Sequence, residues 1–518
     1  MEKAKKVLQK PLVLLLASAL LSALPLSFPS LFLLSWVSFV PFFLVLLRKR
    51  GEGSALGAIG RGVFFGFFYH FFVYFWFLWL YPLDFAGLNR IASLCVVLLA
   101  WIGISLIHGL LYALPTLLCH LLSKRFRSAP FLLFSAILAI LLAERLTETS
   151  ELAFPWVRLA LGQYRATALI QSASLFGMEG LEFLILSVSA LITLAPLWEK
   201  KRRLLALSLA GGIFAANLLF GALRLWTSPK GGEGLFVTSV QGNILSGEKW
   251  DGGNTALETY VSLTEGGVDE ACGLVVWPES AVTSNLYENE TLLTLYQALS
   301  EKVDAPLLTG CFWKKGTQST NSAILLDGES VSEPYSKQIL VPFGERMPYR
   351  KLLSSVFPFL TQINMLSDDL APGTDSALME LDGKRIGSVI CFESVFPDLV
   401  RKSVRDGAEL LVIVTNDSWY EDSPAVWQHL AQAVFRSVEN HRSVVRCANS
   451  GVSAFIDEKG QILSELGPLQ QGTLSSRVTY SEETTLFSLT GSLVFPVGSA
   501  VFGLWLTLLI LRERRRGV

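Results

Sequence analysis

Charge is what this 518-residue chain has least of. Only 17% of its residues are Asp, Glu, Lys or Arg, whereas 51% are apolar; an ordinary soluble protein carries roughly a quarter charged residues. The formal net charge of −1 offers no basic surface to a phosphate backbone, so nucleic acid is not expected as a partner. Cysteine is equally sparse. Cys95, Cys119, Cys272, Cys311, Cys391 and Cys447 form no CxxC pair, which argues against a disulfide framework or a zinc ribbon. The five histidines include no HExxH and no His/Cys ligand cluster, so no metal site is expected.

The apolar residues are concentrated rather than dispersed. They crowd residues 11–225 and again 492–511, while roughly 233–485 has the polarity of a globular domain. A bilayer-crossing helix needs about 20 apolar residues, and eight runs qualify as candidates: 11–27, 30–47, 63–83, 92–118, 131–146, 177–197, 204–225 and 492–511. The third, "FFGFFYHFFVYFWFLWLY", is dense in aromatics, as expected of interfacial anchoring and helix packing. Basic residues precede the first run (Lys3, Lys5, Lys6, Lys10). They also follow the second (Arg48-Lys49-Arg50), the fourth (Lys124-Arg125, Arg127), the sixth (Lys200 to Arg203) and the last ("RERRRGV"). Positive charge stays on the cytoplasmic side, so both termini are expected there and the globular part outside. The stretch 151–177, with Pro155, Trp156 and Arg158, is too polar to span and is expected to lie along the outer face as an amphipathic element. The expected division is a membrane domain at 1–228, an external catalytic domain at 229–488, and a final span with a basic cytoplasmic tail at 489–518.

Within the external part, strand-like runs at 235–243, 273–280, 306–313, 320–327, 385–392, 409–416 and 443–456 alternate with helical patterns at 252–265, 291–303, 397–406 and 424–441. Alternation of this kind predicts a layered α/β domain, whose chemistry sits at the carboxyl ends of strands. Glu279 ends "VVWPES", Cys391 ends "RIGSVIC", and Asn416-Asp417 ends "LLVIVTND". Lys337 and Glu345 share the loop-like "YSKQILVPFGE". A thiol near pKa 8.5 is mostly protonated, so a nucleophilic cysteine needs a base and a cation. Glu279 can supply the first and Lys337 the second, with the Phe392 N–H as a further oxyanion donor. Each residue alone also has a plain reading: core filling for the Cys, a turn for the Glu, a solvated Lys.

Taken in order, "VVWPES", "YSKQILVPFGE", "SVICFES" and "VTNDSWY" resemble the Glu-Lys-Cys pattern of the nitrilase superfamily. Set between seven spans and one, the domain looks like the bacterial apolipoprotein N-acyltransferases. "SVQGNILSGEKWD", "FPW" and "WQHLAQAVFRSVENHRSVVRCANSGVSAFID" extend the likeness over nearly the whole chain. The resemblance implies a nitrilase-like αββα sandwich beside a polytopic helical membrane domain. It implies Glu279 as general base, Lys337 as oxyanion-stabilising cation and Cys391 as nucleophile, with Glu345 and Glu393 in support and Trp250 assisting substrate. The implied reaction moves a fatty acyl chain from a phospholipid, through a cysteine thioester, to the amine of a diacylglyceryl-modified apolipoprotein. It would occur at the bacterial inner membrane, by a monomer, with no cofactor. Such proteins commonly carry Tyr after the nucleophile; here that residue is Phe392, which keeps the backbone N–H but drops a hydroxyl.

The apolar "SSVFPFL" (354–360), with Met365 and Leu366 beyond it, suggests a lid that shields a thioester from water. A membrane-tethered amidohydrolase would use the same triad with water as acceptor. A non-enzymatic scaffold or transporter is a third reading, against which the spans show no recurring buried charge pattern of a transport pathway.

Overall fold

The structure, a computed structural model, describes residues 10–83, 87–227, 232–244, 255–269, 271–286, 288–315, 318–356, 369–374 and 378–516. Trp250, the basic residues Lys3, Lys5 and Lys6, and most of the lid segment (357–366) lie outside the described residues. Of the lid, the described part is the end of a short helix, Arg350–Val356.

Every apolar run read from the sequence is helical. Among the described residues, seven helical stretches are long and apolar enough to cross a bilayer: Pro29–Arg48, Ala55–Leu80, Arg90–Ser123, Ala129–Leu146, Ala173–Leu197, Lys200–Thr227 and Val494–Arg514. Pro11–Ser27, at 17 residues, stands at the short limit for a span. The aromatic run holds its neighbour by stacking, with Phe71 and Trp101 4.1 Å apart at 14°. Small residues let the same two helices approach closely: a Cβ on Gly62 would fall 2.1 Å from the Tyr112 carbonyl oxygen.

The 151–177 stretch does not lie on the surface. Residues 155–164 are all buried, packed between the membrane helices and the globular domain. Polar groups explain the difference. Gln163 accepts from Trp36 Nε1 at 3.1 Å and donates to the Phe32 carbonyl at 2.8 Å. Trp156 Nε1 donates to Gln428 Oε1 at 2.8 Å. Arg158 meets Glu144 at 3.3 Å, Glu182 at 3.5 Å and Glu148 at closer range. An amphipathic helix would leave these groups to solvent, whereas here partners on both sides satisfy them.

The globular domain is the expected αββα sandwich. In one sheet Gly234–Gln241 runs parallel to Leu274–Val276, which is parallel to Leu307–Lys315, with Gly472–Thr479 and Gln318–Asp327 antiparallel at the flanks. In the other, Lys384–Ile390, Leu410–Thr415 and Val444–Ala448 are parallel neighbours, edged by Leu378–Leu381, Ser453–Ile456 and Ile462–Leu466. The sheets face each other: Cys447 Sγ lies 3.2 Å from the Val276 carbonyl, and Ser453 Oγ donates to Gln241 Oε1 at 2.6 Å. Helices Thr255–Gly267 and Glu290–Lys302 cover the first sheet through Tyr260 and Tyr296, which flank Trp277. Helix Pro424–Asn440 belongs to the second sheet's outer layer, and its residues 428–440 are all buried. Its outer side rests on the membrane domain, where the Met178 N–H donates to Glu439 Oε1 at 2.9 Å.

Candidate active site

Three parallel strands deliver the residues singled out from the sequence, because each apolar run stops where its chain leaves the sheet. Glu279 follows Leu274–Val276 through Trp277-Pro278, Cys391 follows Lys384–Ile390, and Asn416 follows Leu410–Thr415. Lys337 follows the two-residue strand Tyr335–Ser336, which pairs with Gln318–Asp327. Glu279 is 5% exposed, Lys337 1% and Cys391 9%, so all three side chains are buried.

Lys337 Nζ donates to Glu279 Oε1 at 2.9 Å and to Glu345 Oε1 at 3.0 Å. Asn321, not anticipated from the sequence, donates to the same two carboxylate oxygens at 2.8 and 2.7 Å. The Asn416 N–H reaches across from the other sheet to Glu279 Oε2 at 2.8 Å. Both oxygens of Glu279 are therefore held, and its orientation is fixed from two sheets. Burial works against the Lys337 charge, but the Glu279 and Glu345 carboxylates outweigh it and hold the ammonium well above its ordinary pKa. Glu345 is anchored in turn by the Val341 N–H at 2.9 Å.

Cys391 opens a one-turn 3-10 helix, Cys391–Val395, with its backbone in the left-handed region at φ +52°. Burial and the nearby Glu279 charge push its thiol well up, against the opposing pull of Lys337. That direction favours the thiol over the thiolate and calls for a base acting during attack. Glu393 is the tie between the two segments. It accepts from Tyr335 Oη and the Ile390 N–H, both at 2.8 Å, and from the Gln338 and Ile339 N–H groups at 2.6 and 3.3 Å.

Phe392 is buried, its ring 5.5 Å from Phe154 at 25° and 5.2 Å from Phe396. Phe154 stacks in turn on Trp156. Phe392 is thus an apolar contact between the turn that carries Cys391 and the Phe154–Trp156 segment.

Beneath the cysteine lies a group that the sequence reading passed over. His429 Nδ1 sits 2.9 Å from Asp417 Oδ1, and Asp417 Oδ2 accepts from Arg446 at 2.6 Å. Cys391, Asp417 and His429 place ligand-type atoms within 4.8 Å of one another. Both histidine nitrogens are already hydrogen-bonded and Asp417 is paired with Arg446, so this donor set is spent on protein contacts. Sequence signals for the overlooked residues did exist. Asn321 stands among the polar residues Gln318 to Ser322 that open its strand, and Arg446 breaks the apolar run "SVVRCA".

The carbon–nitrogen hydrolase family model matches residues 236–485, and that of the apolipoprotein N-acyltransferase N-terminal domain matches residues 18–191. A Geobacter metallireducens protein named apolipoprotein N-acyltransferase is 30% identical over 494 residues, covering 91% of this chain and 90% of that one. One of the same name from Chlorobaculum tepidum is 28% identical over 572 residues, covering 98% of each. Among solved structures, Saccharomyces cerevisiae Nit3 of the nitrilase superfamily aligns with 48% of this chain and 92% of its own, at 19% identity and a TM-score of 0.38.

Proposed function

Because this chain belongs to the apolipoprotein N-acyltransferase family, we propose that Cys391 carries a fatty acyl group from a membrane phospholipid to the N-terminal amine of a diacylglyceryl-cysteine apolipoprotein. The chain is an acyltransferase of lipoprotein biosynthesis in a membrane setting, with lipid and lipoprotein substrates. Glu279, Lys337 and Cys391 are assigned the catalytic roles, Glu345 and Glu393 support them, and the Phe392 N–H is the second oxyanion donor. The observation that supports the assignment is that the Glu279 carboxylate and the Lys337 ammonium lie 2.9 Å apart and both act electrostatically on Cys391.

In the first half-reaction Cys391 Sγ attacks the ester carbonyl carbon while Glu279 takes the thiol proton. The oxyanion is held by Lys337 Nζ and the Phe392 N–H, donors already in place before charge develops. As the C–O bond breaks, Glu279 returns the proton to the departing lysophospholipid oxygen, leaving a thioester. In the second, the acceptor amine attacks the thioester carbonyl and gives its proton to Glu279. That proton passes to sulfur as the C–S bond breaks and the amide forms. Lys337 and Asn321 donate to Glu279 Oε1 and fix its orientation, and the raised thiol pKa calls for a base acting in step with attack.

The proposed domains are 1–228, 229–488 and 489–518, with both termini cytoplasmic and the catalytic domain on the periplasmic side of the inner membrane. The basic loops after alternate spans support this orientation. Lipid substrates also fit a nucleophile whose turn packs on the membrane-proximal Phe154.

Intact-mass measurement of the purified protein mixed with phospholipid tests the reading. The expected result is a gain of one acyl chain, absent in Cys391→Ala and discharged by a diacylglyceryl-cysteine peptide with formation of an amide. Steady release of free fatty acid without an adduct would instead assign hydrolysis.

A further inference from the structure

The buried Arg446–Asp417–His429 column takes no part in the proton transfers above, yet it ends on the nucleophile's own peptide group. The Cys391 carbonyl oxygen lies 3.1 Å from His429 Nε2 and accepts from Ser394 Oγ at 2.8 Å. Nε2 also lies 3.0 Å from Ser394 Oγ. Because that hydroxyl gives its proton to the carbonyl and a carbonyl oxygen only accepts, Nε2 is the donor, shared between the two oxygens. The other ring nitrogen is pinned by Asp417 at 2.9 Å, and Asp417 by Arg446 at 2.6 Å. His429, Asp417, Arg446 and Ser394 are each 0% exposed, and the Trp156 ring, 5.3 Å away, packs beside the imidazole. This ring has one tightly determined position.

We propose that His429 is the positioning residue of the oxyanion hole: by holding the Cys391 carbonyl it aims the Phe392 N–H at the reacting oxygen. The Cys391–Phe392 peptide is planar and trans, so its C=O and N–H point in opposite directions. A carbonyl anchored toward helix Pro424–Asn440 therefore turns the N–H away from that helix. Phe392 is the second residue of the turn Cys391–Val395, a place where the amide has no partner within its own helix, so the donor is not consumed by the turn. The same clamp maintains the left-handed backbone of Cys391 at φ +52°, a conformation that persists in a non-glycine residue only when its surroundings impose it. The inference rests on the reading of Cys391 as nucleophile.

Two reactions of the purified protein separate the roles. Acylation by phospholipid passes through an oxyanion; alkylation of Cys391 by iodoacetamide needs thiol and base but develops none. In His429→Ala, acyl-adduct formation is expected to slow about 10²–10³-fold, the cost of a lost oxyanion donor, while alkylation keeps its wild-type rate. His429→Gln, whose amide nitrogen extends to the region of Nε2, recovers most of the acylation rate, and His429→Asn does not. Wild-type acylation in His429→Ala overturns the proposal, as does a parallel loss of acylation and alkylation in all three variants. If His429→Ala fails to fold, the contrast between His429→Gln and His429→Asn decides: acylation recovered in the first and selectively slowed in the second supports the proposal, and equal acylation in the two overturns it. Persistence of the acyl adduct in Cys391→Ala would mark failure of the nucleophile assignment itself, not of the role given to His429.

Discussion

Tyr335 donates its hydroxyl proton to Glu393 at 2.8 Å, and this bond joins the strand that leads to the lysine with the turn that carries the cysteine. Both groups are buried, so water does not compete for either. A hydrogen bond to a charged group contributes roughly 1.5–3 kcal/mol. Tyr335→Phe should therefore lower unfolding stability by about that amount and slow acyl-adduct formation in the folded fraction. Thermal melting in detergent and single-turnover mass measurements check the two effects; an unchanged acylation rate would show that the catalytic segments hold their register without this bond.

Glu393 also predicts a pH dependence. Burial pushes its pKa up to about 7, against the pull of the Ile390 and Gln338 amides. A folded-state value above the ordinary 4.5 means that the folded protein binds this proton more tightly than the unfolded chain does. Ionised Glu393 consequently costs stability that grows as pH rises from about 4.5 toward 7. Its partners, Tyr335 Oη and three backbone N–H groups, all donate and so fit the carboxylate. Acylation should decline as pH falls through about 7, where a carboxyl proton begins to compete with one of those donors. Glu393→Gln should be slow at every pH and lack this limb; a limb that persists in the variant belongs to another group.

Glu279 and Cys391 could be singled out because each closely follows an apolar run, and strand ends are where such domains place their chemistry. Lys337 sits in a loop-like stretch and was picked out by its chemistry and by the resemblance. The apolar helices were legible from length and apolarity alone, although only seven of the eight expected runs are long enough, among the described residues, to count as spans. Buried polar networks were harder to read, since their partners are distant in the chain. Glu182 follows Glu179 by one helical turn, and both acids of that helix, like Glu144, find arginine partners from other segments. His429 carries no local motif, since Asp417, itself paired with Arg446, and the Cys391 carbonyl meet it only when three strands are assembled. Trp250, singled out from "EKW", lies outside the described residues.

The Arg158 network gives a stability contrast. Glu144, Glu148 and Glu182 all face this one guanidinium, and Glu182 is 0% exposed. Removing one partner of a buried ion pair strands the other charge, at a cost of about 3–5 kcal/mol. Arg158→Met should lower stability by that order and loosen the seat of the catalytic domain on the membrane helices. Arg125–Glu513 is an exposed pair, 56% and 42% accessible, and Arg125→Met should change stability by no more than about 1 kcal/mol. Denaturation of the two variants side by side measures the difference; equal effects would refute the account of the junction.

Glu279 and Lys337 should behave as one unit. Glu279→Gln removes the base, a loss of about 10²–10⁴-fold in acyl-adduct formation. Its amide would also turn a donor toward Asn321 and Lys337 or toward the Asn416 N–H, where the native carboxylate accepts on both sides. Lys337→Met leaves Glu279 and Glu345 converging on Asn321 without a cation between them. Two carboxylates in such a site favour retention of a proton by one of them, and a protonated Glu279 is no longer a base. Either substitution thus disables the same step. The double variant should be little slower than the worse single variant, since residues that act together do not lose rate multiplicatively. Single-turnover acylation of the four proteins gives the comparison, and losses that multiply would mean that the carboxylate and the ammonium serve separate steps.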